Sequence, residues 1–355
     1  MTIDNIIENY SVFLSDLRDK NRISSEQFLH LQNRGLTVIR PEEKFGLENL
    51  GKFFPEIVIG ASPEYIKKMK VPYQASSFIA AKLSKKDDSY VYKIPRMKNG
   101  GILMLTGGKR NFGDNLFAAL HRIIIGYKAI IVSADNMIIN RKHILNWNFF
   151  GKHIEKQYPK IYQDLSIMHE KYSDKKNLSY VIVARSENTF RRLRIHEHYQ
   201  KNEIEIMNSS NNINTIFITN HEGYRYANKI IKESDQIRYI DTGDNFDILN
   251  GMKTLRKEHS IDMILNDGGR IMSNGFRQDG ILCEERVTLE PEISKEAYER
   301  IIKNNKKIYS QCILGKKGLG IDKSEIKGGI LISSTNIGNE KANVYVYPLE
   351  DKVIM

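Results

Sequence analysis

The sequence predicts an α/β fold with a mainly parallel central sheet. Short apolar runs alternate with amphipathic helical stretches from about residue 76 onward, and several of these runs are apolar throughout. Alternation of strands with helices is typical of parallel sheets, and apolar runs suit strands buried on both faces. Hydrophobic residues make up 41% of the 355 residues and charged residues 27%, which is ordinary for a globular protein.

The N-terminal part differs from the rest of the chain. Residues 1–75 are predicted to form an extension or small subdomain, with residues 76–355 as the main domain. Four apolar residues near the start share one helical face: Ile6, Tyr10, Phe13 and Leu17. Ser24 to Gln27 has the pattern of a capped helix start. Two short strands are predicted at Leu36–Ile39 and Glu56–Ile59.

The main domain is predicted to hold strands and helices in alternation. Strands are expected at Ser77–Ala81, Ile102–Leu105, Ala129–Val132, Tyr180–Val183, Thr215–Thr219, Ile237–Asp241, Met263–Leu265, Arg286–Leu289, Gly329–Ser333 and Ala342–Tyr347. Helices are expected at Asn115–Ile125, Tyr224–Glu233, Phe246–Glu258 and Arg270–Asp279. Because the last strands follow one another without a clear helix, we expect an antiparallel edge there.

A double glycine, Gly268-Gly269, follows Asp267 between the strand that ends at Asn266 and a helix. A helix N-terminus offers unpaired N–H groups and a partial positive charge, and glycine lets the backbone come close to a phosphate. This segment is therefore either a cradle for a pyrophosphate or ribose, or a tight turn that needs glycine for its own geometry. It does not follow the GxGxxG dinucleotide pattern.

A second glycine segment, Thr106–Asp114, joins a predicted strand to a predicted helix. Its Lys109 and Arg110 are candidates for holding an anionic substrate, and the alternative is a flexible loop capped by Asp114. Further along, the segment Thr219–Gly223 follows a strand and opens a helix. It indicates either an adenine or ribose contact, or a helix cap through Thr219 or Asn220.

Two segments near the C-terminus resemble the reductase domain of bacterial riboflavin biosynthesis, a family with the dihydrofolate-reductase-like fold. They are Asp267–Phe276 and Asp279–Pro291. Gly280 to Glu284 takes the place of the family's Gly-Leu-Val-Asp-Glu, with Cys283 at the aspartate position. Ser133 to Asn136 stands where the family has Gly-Ala-x-Thr, and residues 80–84 stand where it has Ser-Leu-Asp-Gly.

The resemblance implies a three-layer dihydrofolate-reductase-like fold and NADPH as the cofactor. It places Asp267, Gly268 and Gly269 at the pyrophosphate or ribose. The other implied cofactor-binding residues are Ser133 and Asn136 beside the nicotinamide half, Arg185 and Ser186 at the 2′-phosphate, and Thr219. An arginine fork suits a phosphate because it donates two parallel hydrogen bonds. The implied substrate-binding residues are Lys82, Ser84, Lys109, Arg110 and Glu284. No catalytic acid is assigned.

The function that the resemblance implies is NADPH-dependent transfer of a hydride to a C=N or C=O carbon of a heterocyclic substrate, such as a phosphoribosyl-linked pyrimidine. A homodimer and an anionic small-molecule substrate are the implied partners. The alternative is a catalytically diverged member of the fold that binds nucleotides or nucleic acid. A net charge of +11 and the basic residues Arg191, Arg192 and Arg194 favour that alternative, unless they form a solvated surface.

Several other classes of protein are not indicated. The chain has only Cys283 and Cys312 and no CxxC pair, so neither a disulfide framework nor a zinc deaminase is expected. His196 and His198 do not form the HExxH pattern, and we expect no metal. With no apolar run of membrane length and no apolar secretion signal, we expect a cytoplasmic protein without a membrane partner.

Overall fold

A computed structural model describes residues 10–84, 90–97, 116, 120, 127–134, 151, 154–156, 158–172, 178–192, 213–289, 293–304, 308–313, 321–322, 325–326, 329–337, 340–347 and 349. The strands are β1 (Thr37–Ile39), β2 (Ile57–Ile59), β3 (Tyr73–Ser84), β4 (Tyr90–Met97), β5 (Ala129–Ser133), β6 (Leu178–Val183), β7 (Ile213–Thr219), β8 (Ile237–Asp241), β9 (Met263–Asn266), β10 (Glu284–Leu289), β11 (Ile293–Ser294), β12 (Ile308–Ile313), β13 (Ile321–Asp322), β14 (Glu325–Ile326), β15 (Ile330–Ile337) and β16 (Glu340–Val346). The helices are α1 (Tyr10–Asp19), α2 (Ser25–Arg34), α3 (Pro41–Phe45), α4 (Glu48–Phe53), α5 (Pro63–Lys68), α6 (Pro159–Tyr172), α7 (Glu187–Arg192), α8 (His221–Ile230), α9 (Ile248–Glu258), α10 (Gly269–Gln278) and α11 (Lys295–Asn304). Across these ranges no helix has the length and apolarity that a membrane crossing requires.

The predicted mixed α/β fold with a mostly parallel sheet is confirmed. The main sheet has the strand order β15-β16-β10-β3-β9-β5-β6-β7-β8. Seven of these strands, from β10 to β8, run parallel to one another. Strands β16 and β15 are antiparallel, as expected for the last strands of the chain. A side branch of the same sheet adds β4, β11 and β12 beside the far part of β3.

Apolar strands in the middle of the sheet form the core. Ala129 to Val132 in β5 are fully buried, which agrees with the prediction from the continuous apolar run. Side chains of β7 alternate between two covered faces. On one face Phe217 contacts Phe190 of α7 and stacks on Tyr239 of β8. On the other, the next residue, Ile218, packs so closely on Gly251 of α9 that a Cβ there would lie 2.6 Å from it.

The predicted elements agree in position with most of the observed ones. Strands β5 to β10 and helices α9 and α10 overlap their predicted ranges, and β8 matches at both ends. Helix α8 begins at His221, three residues before its predicted start at Tyr224, because Asn220 caps it. Strand β4 and helices α6 and α11 were not predicted. The strand predicted at Ile102–Leu105, and all of the helix predicted at Asn115–Ile125 except Leu116 and Leu120, lie outside the described residues.

From Tyr10 onward, the N-terminal segment contains helices α1 and α2, followed by the antiparallel pair β1 and β2. The predicted capping box is confirmed, since Ser24 Oγ accepts from the Gln27 amide and Gln27 Oε1 accepts from the Ser24 amide. The segment is hydrogen-bonded to the main sheet region through Arg34 of α2, which is wholly buried and donates to the carbonyls of Tyr347 and Cys283. The predicted boundary between residues 75 and 76 falls inside β3.

Candidate functional site

The parallel strands end together at one edge of the sheet, and this carboxyl edge gathers most of the predicted cofactor-binding residues. Ser133 ends β5, Thr219 ends β7, Arg185 and Ser186 follow β6, and Asp267 follows β9. In open α/β sheets ligands bind in the crevice outside the carboxyl ends of the strands. The structure therefore places residues from four separate stretches of sequence where this architecture takes its ligands.

The order in which the chain adds strands to the sheet reverses at this edge, between the parallel neighbours β9 and β5. From β5 the chain continues to its neighbour β6 on one side, whereas from β9 it passes through α10 to β10 on the other side. Such a topological switch point leaves a crevice because the two connections leave in opposite directions. Ser133 flanks it from β5 and Asp267 from β9. The backbone of Asp267 is fixed to β5 by its amide, which donates to the Ile131 carbonyl at 2.9 Å.

The double glycine forms the turn into α10, and its geometry explains both residues. Gly269 has φ of +73°, a left-handed value that glycine adopts without strain. A Cβ on Gly268 would lie 2.4 Å from Sδ of Met272 one turn later. The tight-turn interpretation therefore accounts for the glycines, and their role as a phosphate cradle stays a prediction. Gly268 is also the N-cap of α10, which begins without a side-chain cap.

A buried polar cluster beneath this turn holds α10 in place. Asn266 Nδ2 donates to Ser76 Oγ at 3.0 Å and to Ser273 Oγ at 3.3 Å, and the two hydroxyls are 2.7 Å apart. Asn266 Oδ1 also accepts from the Gly268 amide at 3.0 Å. These residues were not predicted from the sequence. The available signal was Asn266, the polar residue that ends an apolar strand two positions before the glycines.

Arg185, which follows the end of β6, is exposed. Its guanidinium lies 5.6 Å from the centre of the Phe246 ring. The Arg185 carbonyl accepts from the Asn220 amide at 3.4 Å, so the two strand ends are joined. Asn220 Oδ1 accepts from the Gly223 amide and caps α8, which agrees with the helix-cap interpretation of this segment.

Thr219 is fully buried, and in the part of the chain described by the structure its hydroxyl oxygen has no hydrogen-bond partner. The oxygen faces the first turn of α8, where a Cβ on Gly223 would lie 2.1 Å from it. Gly223 therefore makes room for a hydroxyl that is left without a partner. The cofactor contact predicted for Thr219 stays a prediction.

Beside this edge, His221 at the start of α8 pairs with Asp241 at the end of β8, with His221 Nδ1 and Asp241 Oδ2 2.5 Å apart. The Gly243 amide donates to the other oxygen of Asp241 at 2.9 Å. His221 lies in the segment Thr219–Gly223 that the sequence offered as an adenine or ribose contact, whereas Asp241 was not a binding candidate. Their separation by 20 positions, on different elements, left no local signal for the pair.

Glu284 lies in a buried network between β10 and the N-terminal segment. Its Oε2 accepts from the Tyr73 hydroxyl at 2.6 Å and from the Gly60 amide at 3.1 Å, and Arg286 Nε donates to its Oε1 at 2.5 Å. Burial, together with the Glu284 carboxylate, raises the pKa of Tyr73 well above its usual value, so the phenol stays protonated and donates. These contacts give Glu284 a structural role, and its predicted contact with substrate stays a prediction.

The neighbouring residues extend this network. Arg34 Nη1 donates to the Tyr347 carbonyl at 2.6 Å and Arg34 Nη2 donates to the Cys283 carbonyl at 2.8 Å, which ties α2 to the main sheet. Cys283 stands where the resembled family has an aspartate, and it is fully buried. Burial raises the pKa of its thiol to about 11, so that the group is neutral at physiological pH.

The predicted substrate-binding residues are not gathered with the cofactor-binding ones in the described part of the chain. Lys82 and Ser84 lie in β3, six and eight positions past Ser76, the residue that pairs with Asn266 at the end of β9. At about 3.3 Å per residue this puts Lys82 roughly 20 Å along the strand from the glycine turn. Lys109, Arg110 and the cofactor candidate Asn136 lie outside the described residues.

The basic residues of α7 are also only partly within the described ranges. Arg191 pairs with Glu187 at 2.5 Å, and its guanidinium lies 4.5 Å from the centre of the Tyr226 ring. Arg192 ends α7, and Arg194, His196 and His198 lie beyond the described part. The nucleic-acid surface proposed for this segment stays a prediction.

Comparison with known proteins gives matches among solved structures alone. No family model and no curated protein sequence matches the chain. Similar structures include RibD of Acinetobacter baumannii (12% identity, TM-score 0.40, 78% of this chain). Others are a riboflavin biosynthesis reductase of Saccharomyces cerevisiae (11%, 0.39, 78% of this chain and 90% of that one) and a pyrimidine reductase-like protein of Corynebacterium diphtheriae (12%, 0.44, 84% and 98%). The chain spans 58% of the length of the RibD chains.

Proposed function

We propose that the protein is an NADPH-dependent reductase with a dihydrofolate-reductase-like fold. It transfers a hydride to a C=N or C=O carbon of a heterocyclic substrate, with phosphoribosyl-linked pyrimidines as the class to test first. One observation carries the proposal: Ser133, Asp267, Arg185 and Thr219, selected from the sequence, lie together at the carboxyl edge of the parallel sheet. Ser133 and Asp267 flank its switch point. Nucleotide cofactors bind α/β sheets at such points.

The donors at this edge suit a dinucleotide. The N-terminus of α10, which has no side-chain cap, offers N–H groups to a pyrophosphate beside Asp267, Gly268 and Gly269. The Ser133 hydroxyl, with Asn136, would contact the nicotinamide half. The cofactor supplies the hydride, and the protein supplies orientation and charge.

At the other end of the proposed site, Arg185 and Ser186 would hold the 2′-phosphate, with Thr219 beside the adenosine. Arg185 offers the bidentate fork that suits a phosphate, and its stacking on Phe246 limits its side-chain freedom. For the substrate, Lys82, Ser84, Lys109, Arg110 and Glu284 remain the proposed contacts, and two chains would pair as a homodimer.

A titration of the purified protein with NADPH, followed by the fluorescence of the reduced nicotinamide, tests the proposal. We expect saturable binding that Arg185→Ala weakens at least about tenfold, because a charged hydrogen bond contributes roughly 1.5–3 kcal/mol. Arg238→Ala is the matched control, since Arg238 carries the same charge near the amino end of β8. Absence of binding in the wild type, or equal effects of the two substitutions, refutes the proposal.

A further inference from the structure

Three loops at the carboxyl ends of β6, β7 and β8 are bonded into one unit. The Asn220 amide donates to the Arg185 carbonyl at 3.4 Å, and Asn220 Nδ2 donates to the Asp244 carbonyl at 3.4 Å. The His221 amide donates to the Gly243 carbonyl at 2.8 Å. The backbone positions from which the side chains of these loops project are therefore fixed relative to one another, as recognition of a small ligand requires.

Within this unit Asp241 occupies the position at the end of a parallel strand from which an acidic residue can select the cofactor. In dinucleotide-binding sheets such a carboxylate accepts the ribose hydroxyls of NAD, whereas an arginine accommodates the 2′-phosphate of NADP. Asp241 is already engaged, because His221 Nδ1 binds its Oδ2 and the Gly243 amide binds its Oδ1. A bound imidazole also shields a phosphate from the carboxylate charge.

We propose that His221, positioned by Asp241, makes this edge prefer a nucleotide with a ribose 2′-phosphate to one with a free 2′-hydroxyl. The inference rests on the proposed function and adds the residue that chooses between NADPH and NADH. With a phosphate bound, an imidazole ring that carries both protons would donate from Nδ1 to the Asp241 carboxylate and from Nε2 to the phosphate. Among the residues that the structure describes, Nε2 has no hydrogen-bond partner. Arg185 supplies the second cation.

The other acidic residues at this edge leave room for an anion. Glu187 pairs with Arg191, and Asp247 caps α9 by accepting from the Asn250 amide at 3.1 Å. Glu222 and Asp244 are exposed, where water and salt screen their charges. The two nitrogen-bearing side chains that project from the bonded loops, Arg185 and His221, therefore determine the local preference for an anion.

Isothermal titration of the full chain with adenosine 2′,5′-bisphosphate and with 5′-AMP tests the inference, since the two probes differ in the 2′-phosphate alone. We expect the wild type to bind the bisphosphate at least about tenfold more tightly, the effect of one charged hydrogen bond. His221→Ala should lower the ratio of the two affinities about tenfold, leaving the part of the preference that Arg185 supplies, while 5′-AMP binds as before. His221→Gln, which keeps a donor for Asp241 without the charge, should give an intermediate ratio.

His259→Ala is the matched control, because His259 is the C-cap residue after α9 near the amino edge of the sheet, and it should leave the ratio unchanged. Equal binding of the two probes by the wild type, no binding of either, or a ratio that His221→Ala does not alter overturns the inference. If NADPH binding depends on Arg185 but His221→Ala leaves the ratio of the two affinities unchanged, the proposed function stands and the inference fails. If the ratio depends on His221 but NADPH is not bound, the preference for a 2′-phosphate stands and the proposed reductase function fails.

Discussion

The buried network around Glu284 gives a stability prediction that follows directly from its contacts. Glu284 and Arg286 are 0% and 1% exposed, and the carboxylate accepts from Arg286, Tyr73 and the Gly60 amide. Replacing Glu284 with alanine would leave Arg286 as a buried charge and would take the acceptor from two buried donors. Losing one partner of a buried ion pair costs about 3–5 kcal/mol, and an unsatisfied buried donor about 1–3 kcal/mol.

These costs overlap, so we expect Glu284→Ala to lower the free energy of unfolding by about 4 kcal/mol, within the range of a single buried pair. Glu284→Gln keeps an acceptor and should cost less. Urea unfolding followed by far-UV circular dichroism measures the loss in each variant, provided that the slope of the free energy of unfolding against urea concentration is the same as in the wild type. Glu187→Ala removes an exposed partner of Arg191 and, as the control, should cost about 0–1 kcal/mol. A loss below about 1 kcal/mol for Glu284→Ala would refute this reasoning.

Three further predictions concern the glycine turn, a buried phenol and nucleic acid. Gly269→Ala should lower stability by about 1–2 kcal/mol because φ is +73°. Gly275→Ala should raise it by about 0.5–1 kcal/mol in the same urea assay, since, beyond its chain neighbours and the helix backbone, no other described residue lies within 4 Å of the added Cβ. Burial raises the pKa of Tyr10 to about 12. Stability should therefore fall as pH rises from about 10 towards 12, and Tyr10→Phe should reduce that fall in thermal melts at each pH. If the net charge of +11 reflects nucleic-acid binding, RNA affinity measured by fluorescence anisotropy should fall steeply with salt, and absent or salt-insensitive binding contradicts it.

The sequence was sufficient to predict the sheet because its central strands are buried on both faces and are therefore apolar without interruption. Runs such as Ala129–Val132 and Tyr180–Val183 carry that signal locally, and the glycine turn marks the following helix. Strand β4 was missed because it mixes basic and aromatic residues and contains Pro95, which weakens the pattern of a strand. It pairs with β3 and β12 in the side branch of the sheet.

The candidate site could be predicted only in part, for a different reason. Residues that directly follow a strand, such as Arg185 and Asp267, can be selected from local sequence because parallel strands end at the same edge. The pairing of His221 with Asp241, and of Glu284 with Tyr73, depends on which strands are neighbours. That order arises from tertiary packing, and no spacing along the chain encodes it.

Hydrogen–deuterium exchange with and without NADPH tests the central claim, that a nucleotide binds at the carboxyl edge of the sheet beside the switch point. The account predicts slower exchange in peptides that cover residues 131–134, 183–188 and 265–272 once NADPH is added. Peptides from the amino edge, such as residues 234–238, should be unchanged. Unchanged exchange throughout, or protection confined to segments away from the carboxyl edge, would contradict the account.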